Sequence, residues 1–154
     1  MGTDNLFHRR KAKKLKDLAR RAVRRAPYDR VLIVCEGEKT EPHYFSGLRD
    51  HYELSSANIE VTGDCGTSPS CVLDHARQKY RESQDAGIPY DRVYCVFDRD
   101  TWPCFQDTLE AIEAQKPRGT FYAAISSPAF EYWLLLHFEF TTKLYAPLPG
   151  NSPG

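Results

Sequence analysis

The sequence predicts an α/β fold: a mainly parallel sheet of about four strands with helices on both sides, in three layers, preceded by a basic helical arm. Apolar runs of strand length recur four times, and a stretch with helical spacing follows each of them. Alternation of this kind is the signature of right-handed βαβ units on a parallel sheet. The first run, Val31-Leu32-Ile33-Val34-Cys35, is continuous rather than alternating and rich in β-branched residues, as expected of a strand covered on both faces.

The chain has 154 residues, 41% of them hydrophobic, enough for one domain with a real core and too few for two. We divide it into a basic helical arm at 1–28, the α/β domain at 29–140 and a tail at 141–154. The tail ends Pro147-Leu148-Pro149-Gly150-Asn151-Ser152-Pro153-Gly154 and is expected to be either disordered or a truncation point. The 21 Lys/Arg and 21 Asp/Glu cancel overall, but residues 1–30 hold 11 bases against 3 acids, leaving 10 against 18 for the rest. A basic arm before an acidic body suits a polyanionic partner; an arm folded onto its own domain, or a solvated helix, explains it equally well. Five cysteines form no CxxC pair and suit a reducing cytoplasm. The chain has no apolar run long enough to cross a membrane and no secretory leader.

From Arg9 to Ala26 strong helix formers place Leu15, Leu18, Ala22 and Ala26 on one stripe. Arg9, Arg10, Lys13, Lys14, Arg20, Arg21, Arg24 and Arg25 fill the other faces, where they would meet phosphates of DNA or RNA with strongly salt-dependent affinity. Pro27 ends that helix. After the first strand, Thr40 is expected to cap a helix with Tyr44, Phe45, Leu48 and Tyr52 at helical spacing. Asn58–Val61 reads as a second strand, and Ser68-Pro69 as the cap and first residue of a helix reaching about Gln84. Arg92–Phe97 is the third strand, followed by a helix from about Pro103 to Gln115. Phe121–Ile125 is the fourth, and Phe130–Phe138 an aromatic-rich helix. Its stripe of Phe130, Trp133, Leu134, His137 and Phe138 is read as core rather than as a base-stacking platform.

The chemistry gathers where strands end. Asp98 and Asp100 alternate in an extended backbone, so both carboxylates face one point. They repel unless a proton or cation intervenes, and a hard divalent cation such as Mg²⁺ (or Mn²⁺) resolves the conflict. A bare DxD is more often a polar turn with an aspartate capping the next helix. Glu36 changes the balance: it ends a different buried strand, and if strands one and three are neighbours, three carboxylates meet at the carboxyl edge of the sheet. Beside it, Lys39 could steady a phosphate or make a helix-start salt bridge, and Glu38 and Glu41 suit the positive end of a helix. Glu131 could join a second metal site, or serve as a cap or core ion pair. His43, His75 and His137 lack ligand spacing, which argues against zinc.

The run VLIVCEGEKTEPHYF, then GTSP, then VYCVFDRD, then AISSPAFEYWLLLHF resembles the RloB-like proteins, a Toprim-related group found beside restriction and phage-defence genes; it spans roughly Asp29–Phe138. Ser127 stands where the family has asparagine, and the family continues beyond this chain's end. The resemblance implies a Toprim-like (Rossmann-like) fold and a Mg²⁺-dependent phosphoryl-transfer site, with Glu36 as catalytic acid/base and Asp98 and Asp100 holding metal. The function expected is a nuclease or related phosphodiesterase in antiviral defence, with a second defence protein as a possible partner. The alternatives are a non-catalytic nucleic-acid or protein-binding module of a defence complex and, less favoured, a phosphatase or receiver-like domain. The last normally places its key aspartate on the first strand, where this chain has Glu36.

Overall fold

The computed structural model of the protein describes residues 28–56, 58–63, 65–66, 68–99 and 102–141. The basic arm with its eight named Arg and Lys residues, the second aspartate of the pair, Asp100, and the tail beyond Thr141 lie outside the described residues. Four strands, β1 (Val31–Cys35), β2 (Ile59–Thr62), β3 (Arg92–Asp98) and β4 (Phe121–Ser126), form one sheet in the order β2-β1-β3-β4. Every neighbouring pair is parallel. Four helices connect and follow them: α1 (Thr40–His51), α2 (Pro69–Asp85), α3 (Phe105–Glu113) and α4 (Phe130–Leu135). No helix among the described residues is long and apolar enough to cross a membrane.

The strand order dictates the layers. From β1 the chain steps outward one way to β2 through α1; it then returns through α2 to the other side of β1, where β3 and β4 follow. On one face Val72, Leu73, Ala76 and Tyr80 of α2 and Ile112 of α3 close over Leu32, Val34, Val93, Cys95, Phe97 and Phe121, the apolar core. Leu32, Val34, Val72, Val93 and Phe97 are fully buried, each worth roughly 1.5–3 kcal/mol against exposure. The opposite face is covered by α1, against β2, and α4, against β4 and α1.

Cover on that second face is incomplete. Val31 and Ile33 are only half-buried, so β1 is not sealed on both sides as its composition predicts. The aromatic helix also ends at Leu135 rather than Phe138, and the stripe expected to be core splits. Phe130 is buried, whereas Trp133 is 48% exposed and Phe138 88%. A six-residue helix on an edge strand spans too little sheet to bury every aromatic on it.

The expected helix start holds at α2 and fails at α1 and α3. Ser68 caps α2, its hydroxyl accepting from the Cys71 amide at 3.3 Å, and Pro69 takes the first helical position, where its missing N–H costs nothing. Thr40 does not cap α1; it is that helix's first residue, and Lys39 stands at the cap position without a side-chain hydrogen bond. At α3 the cap position belongs to Cys104, not to an aspartate.

The lower rim of the sheet is braced by charge. Glu60 of β2 accepts from the Tyr90 hydroxyl and lies 3.3 Å from the Lys79 ammonium; Arg30 stacks over the Tyr90 ring at 4.6 Å and donates to the Ile88 carbonyl. Burial pushes the Glu60 carboxyl up, but Tyr90 and Lys79 outweigh it and hold the group below its ordinary value. Burial and Glu60 push Tyr90 up to about 12. A depressed carboxyl stabilises the fold above its unfolded pKa and loses that contribution as pH falls through the folded one. Wild type should therefore be more stable than Glu60→Gln at neutral pH, and the gap should close below about pH 4. With Glu60 and Lys79 41% and 34% exposed, the gap is held under about 1 kcal/mol. Urea midpoints at several pH values check this, and a gap that does not change with pH contradicts it.

Candidate functional site

β1 and β3 are neighbours, and their connections leave in opposite directions, which opens a crevice at their carboxyl ends. Glu36 sits there. Its amide donates to the Val96 carbonyl at 2.9 Å, extending the β1–β3 ladder one rung past β1 and fixing the glutamate beside the end of β3. Its Oε2 accepts from the Asp98 amide at 3.1 Å. The last residue of β3 and the first after β1 are thus joined directly. On its other side Asp98 pairs with Ser126 of β4, and the next amide, of Arg99, donates to the Ser126 carbonyl at 2.8 Å.

A cleft of about 410 Å³ opens over this junction, lined by Glu36–Glu41, Gly66, Asp98 and Glu131. Five carboxylates and one ammonium face it, an arrangement that repels itself unless cations gather there. Glu38 and Lys39 are exposed, and Lys39 makes no ion pair among the described residues, so the helix-start bridge is not formed. Glu131 is exposed in the first turn of α4, neither its cap nor buried in the core. His43 is exposed on α1 and is not among the residues lining the cleft.

Glu41 is the unexpected member. It is only 7% exposed, in the first turn of α1, and its carboxylate takes no hydrogen bond or salt bridge from the described residues. Its place in the first turn sets it at the positive end of α1. Gly37 makes the room: a Cβ there would stand 2.2 Å from Glu41 Oε2. Behind it, a Cβ on Gly63 would stand 2.2 Å from the Gly37 carbonyl. Two glycines thus let the loop after β2, the turn after β1 and the Glu41 carboxylate stack in direct contact. Cys35 registers the charge: burial first, then the Glu41 carboxylate, push its thiol up to about 12. Sequence spacing puts Glu41 at a helix start and signals nothing more. The clue it does carry is Gly37, four residues before it, with Gly63 at the end of the second strand.

Of the residues singled out by sequence, the fold brings Glu36, Glu38, Lys39, Glu41, Asp98 and Glu131 to one cleft; Asp100 lies outside the described residues. Among the described residues no three His, Cys, Asp or Glu side chains are already placed to hold a metal ion. Glu36 and Asp98 are the touching pair.

The model of the RloB-like protein family matches residues 31–148, the whole sheet and all four helices. The chain belongs to the RloB-like family. No curated protein and no solved structure matches it. The RloB-like match begins at the first residue of β1, so the acid cleft is built wholly from the matched segment.

The two glycines should respond differently. Gly63→Ala meets backbone, and is expected to cost about 1–3 kcal/mol. Gly37→Ala meets the end of a side chain, and is expected to displace Glu41 at a smaller cost. Chemical denaturation of both variants checks this; the reverse order contradicts the stacking described.

Proposed function

We propose that this RloB-like chain is a metal-dependent phosphodiesterase acting on nucleic acid. The observation that carries the reading is the contact of Glu36 with the end of β3 at Asp98, with Glu41 lining the same cleft. The donor set fits a hard divalent cation, Mg²⁺ or Mn²⁺: carboxylate oxygens from the turn after β1, α1, β3 and α4, in a cleft with room for water and phosphate. Glu36 and Asp98 would hold it together with Asp100; Glu41 and Glu131 offer oxygens for a second ion. When bound, the cation neutralises phosphate charge and lowers the pKa of a bound water.

The chain's own residues supply the rest. The Asp98 amide fixes the orientation of the Glu36 carboxylate, which then serves as a proton donor or acceptor at the reacting oxygens, or as a ligand. Lys39, exposed at the cleft and without an ion pair among the described residues, reaches toward a non-bridging phosphate oxygen. The basic arm, 11 Lys/Arg against 3 acids over residues 1–30, draws the polyanion toward an otherwise acidic body. Five free cysteines suit the cytoplasm, where a nuclease of restriction or phage defence would act, alone or with a second defence protein.

The purified full chain is expected to cleave DNA or RNA with Mg²⁺ or Mn²⁺ and not in EDTA. Glu36→Gln and Asp98→Asn should each slow cleavage by about 100-fold or more at unchanged folding stability. Wild-type rates in either variant contradict the assignment. Metal-independent binding without turnover favours instead a non-catalytic binding module.

A further inference from the structure

Next to the acid cleft lies a larger groove, about 600 Å³, between α1 and α4. Tyr44 and Phe45 form one wall, Tyr132 and Trp133 the other, and Val96 and Ala124 belong to its floor. We propose that this groove is a nucleobase pocket, and that the phosphodiesterase site acts on single-stranded or unpaired nucleic acid. The proposal rests on the reading above and adds what the site grips besides phosphate.

The aromatic wall is built rather than left over. The Trp133 indole N–H donates to the Tyr44 hydroxyl at 3.2 Å, and that hydroxyl lies 3.2 Å from His137 Nε2. His137 Nδ1 lies 3.0 Å from the Trp133 carbonyl. One tautomer satisfies all three contacts, with Nδ1–H donating to the carbonyl and Nε2 accepting from Tyr44. This closed loop of hydrogen bonds locks α1 to α4 and fixes the rings in advance, which lowers the ordering cost of binding. Trp133 remains 48% exposed although its N–H is satisfied. A large ring fixed at the surface, with its polar atom already paired, suits stacking by a base.

The groove and the acid cleft share their walls. On α1, Glu41 lines the cleft and Tyr44 the groove, three residues and about 4.5 Å of helix apart. On α4, Glu131 lines the cleft and Trp133 the groove; on β3, Asp98 and Val96 divide in the same way. A strand whose phosphate enters among the carboxylates therefore has its next base over the aromatic rings. Few polar groups line the groove to read base edges, so stacking there is sequence-tolerant. A base stacked in a duplex is not available to it.

The test uses the full chain carrying Trp102→Phe, which leaves Trp133 as the sole tryptophan. Single-stranded DNA or RNA of about 12 nucleotides is titrated in, with an abasic strand of equal length as control, in EDTA and in Ca²⁺. We expect saturable quenching of Trp133 by the base-bearing strand and none by the abasic one. In anisotropy with labelled strands, Tyr44→Ala and Trp133→Ala should each weaken binding by about tenfold or more, and Trp133→Phe, which keeps a stacking ring but loses the N–H that donates to Tyr44, should fall between Trp133→Ala and wild type. Cleavage with Mn²⁺ is measured on the same preparations. Cleavage without base-dependent quenching, unaltered in Trp133→Ala, overturns the pocket and leaves the phosphodiesterase standing. Base-dependent quenching without cleavage does the opposite. Equal response to both strands, or a Trp133 shielded from acrylamide by a polypeptide segment in the groove, also overturns the pocket.

Discussion

Parallel pairing of β1 with β3 is the constraint on which the rest of the structure depends. Val31 lies beside Arg92 and Cys35 beside Val96, a register that brings the chain leaving β1 level with the end of β3. One further rung, from the Glu36 amide to the Val96 carbonyl, carries the glutamate to Asp98. Because side chains alternate along a strand, a slip of one residue would turn the buried set, Leu32, Val34, Val93, Cys95 and Phe97, away from α2 and α3. The same core that stabilises the sheet therefore sets the position of the two carboxylates, and packing and chemistry are locked to one register.

Much of this was legible in the sequence because it is local. Continuous β-branched runs gave the strands, Ser68-Pro69 the start of α2, and the charged ends of two apolar runs the cleft; each element was placed within about three residues. Adjacency of β1 and β3 had to be assumed, since strand order is decided by which crossover packs and leaves no mark on either strand. The place of Glu41 leaves no local mark for a related reason: it packs against Gly37, itself packed against Gly63 across two loops, contacts made only in three dimensions. Thr40 is the first residue of α1 rather than its cap, a shift of one residue at the helix boundary. The aromatic stripe after Ser127-Pro128 has core composition, but on a six-residue helix at a sheet edge only Phe130 is buried.

Uneven cover of the two faces links fold to function. One face is sealed by two helices and carries the stability. The other, under α1 and the short α4, keeps Tyr94 and Tyr122 stacked at 5.2 Å and Trp133 half in solvent, beside the cleft that holds the acids. Five acids, Glu41 among them, line one cleft, and like charges held that close favour a cation between them. The fold tolerates that repulsion at the switch point, where doubly wound sheets place their ligands.

The central claim is that the switch-point cleft is a divalent-cation site centred on Glu36 and Asp98. A crystal structure of the chain grown with Mn²⁺, phased for anomalous scattering, tests it most directly. An anomalous peak within coordinating distance of the Glu36 and Asp98 carboxylates, absent in Asp98→Asn crystals, is the result expected. A well-ordered cleft without manganese, or manganese bound elsewhere while Glu36 and Asp98 hold only water, would contradict the account.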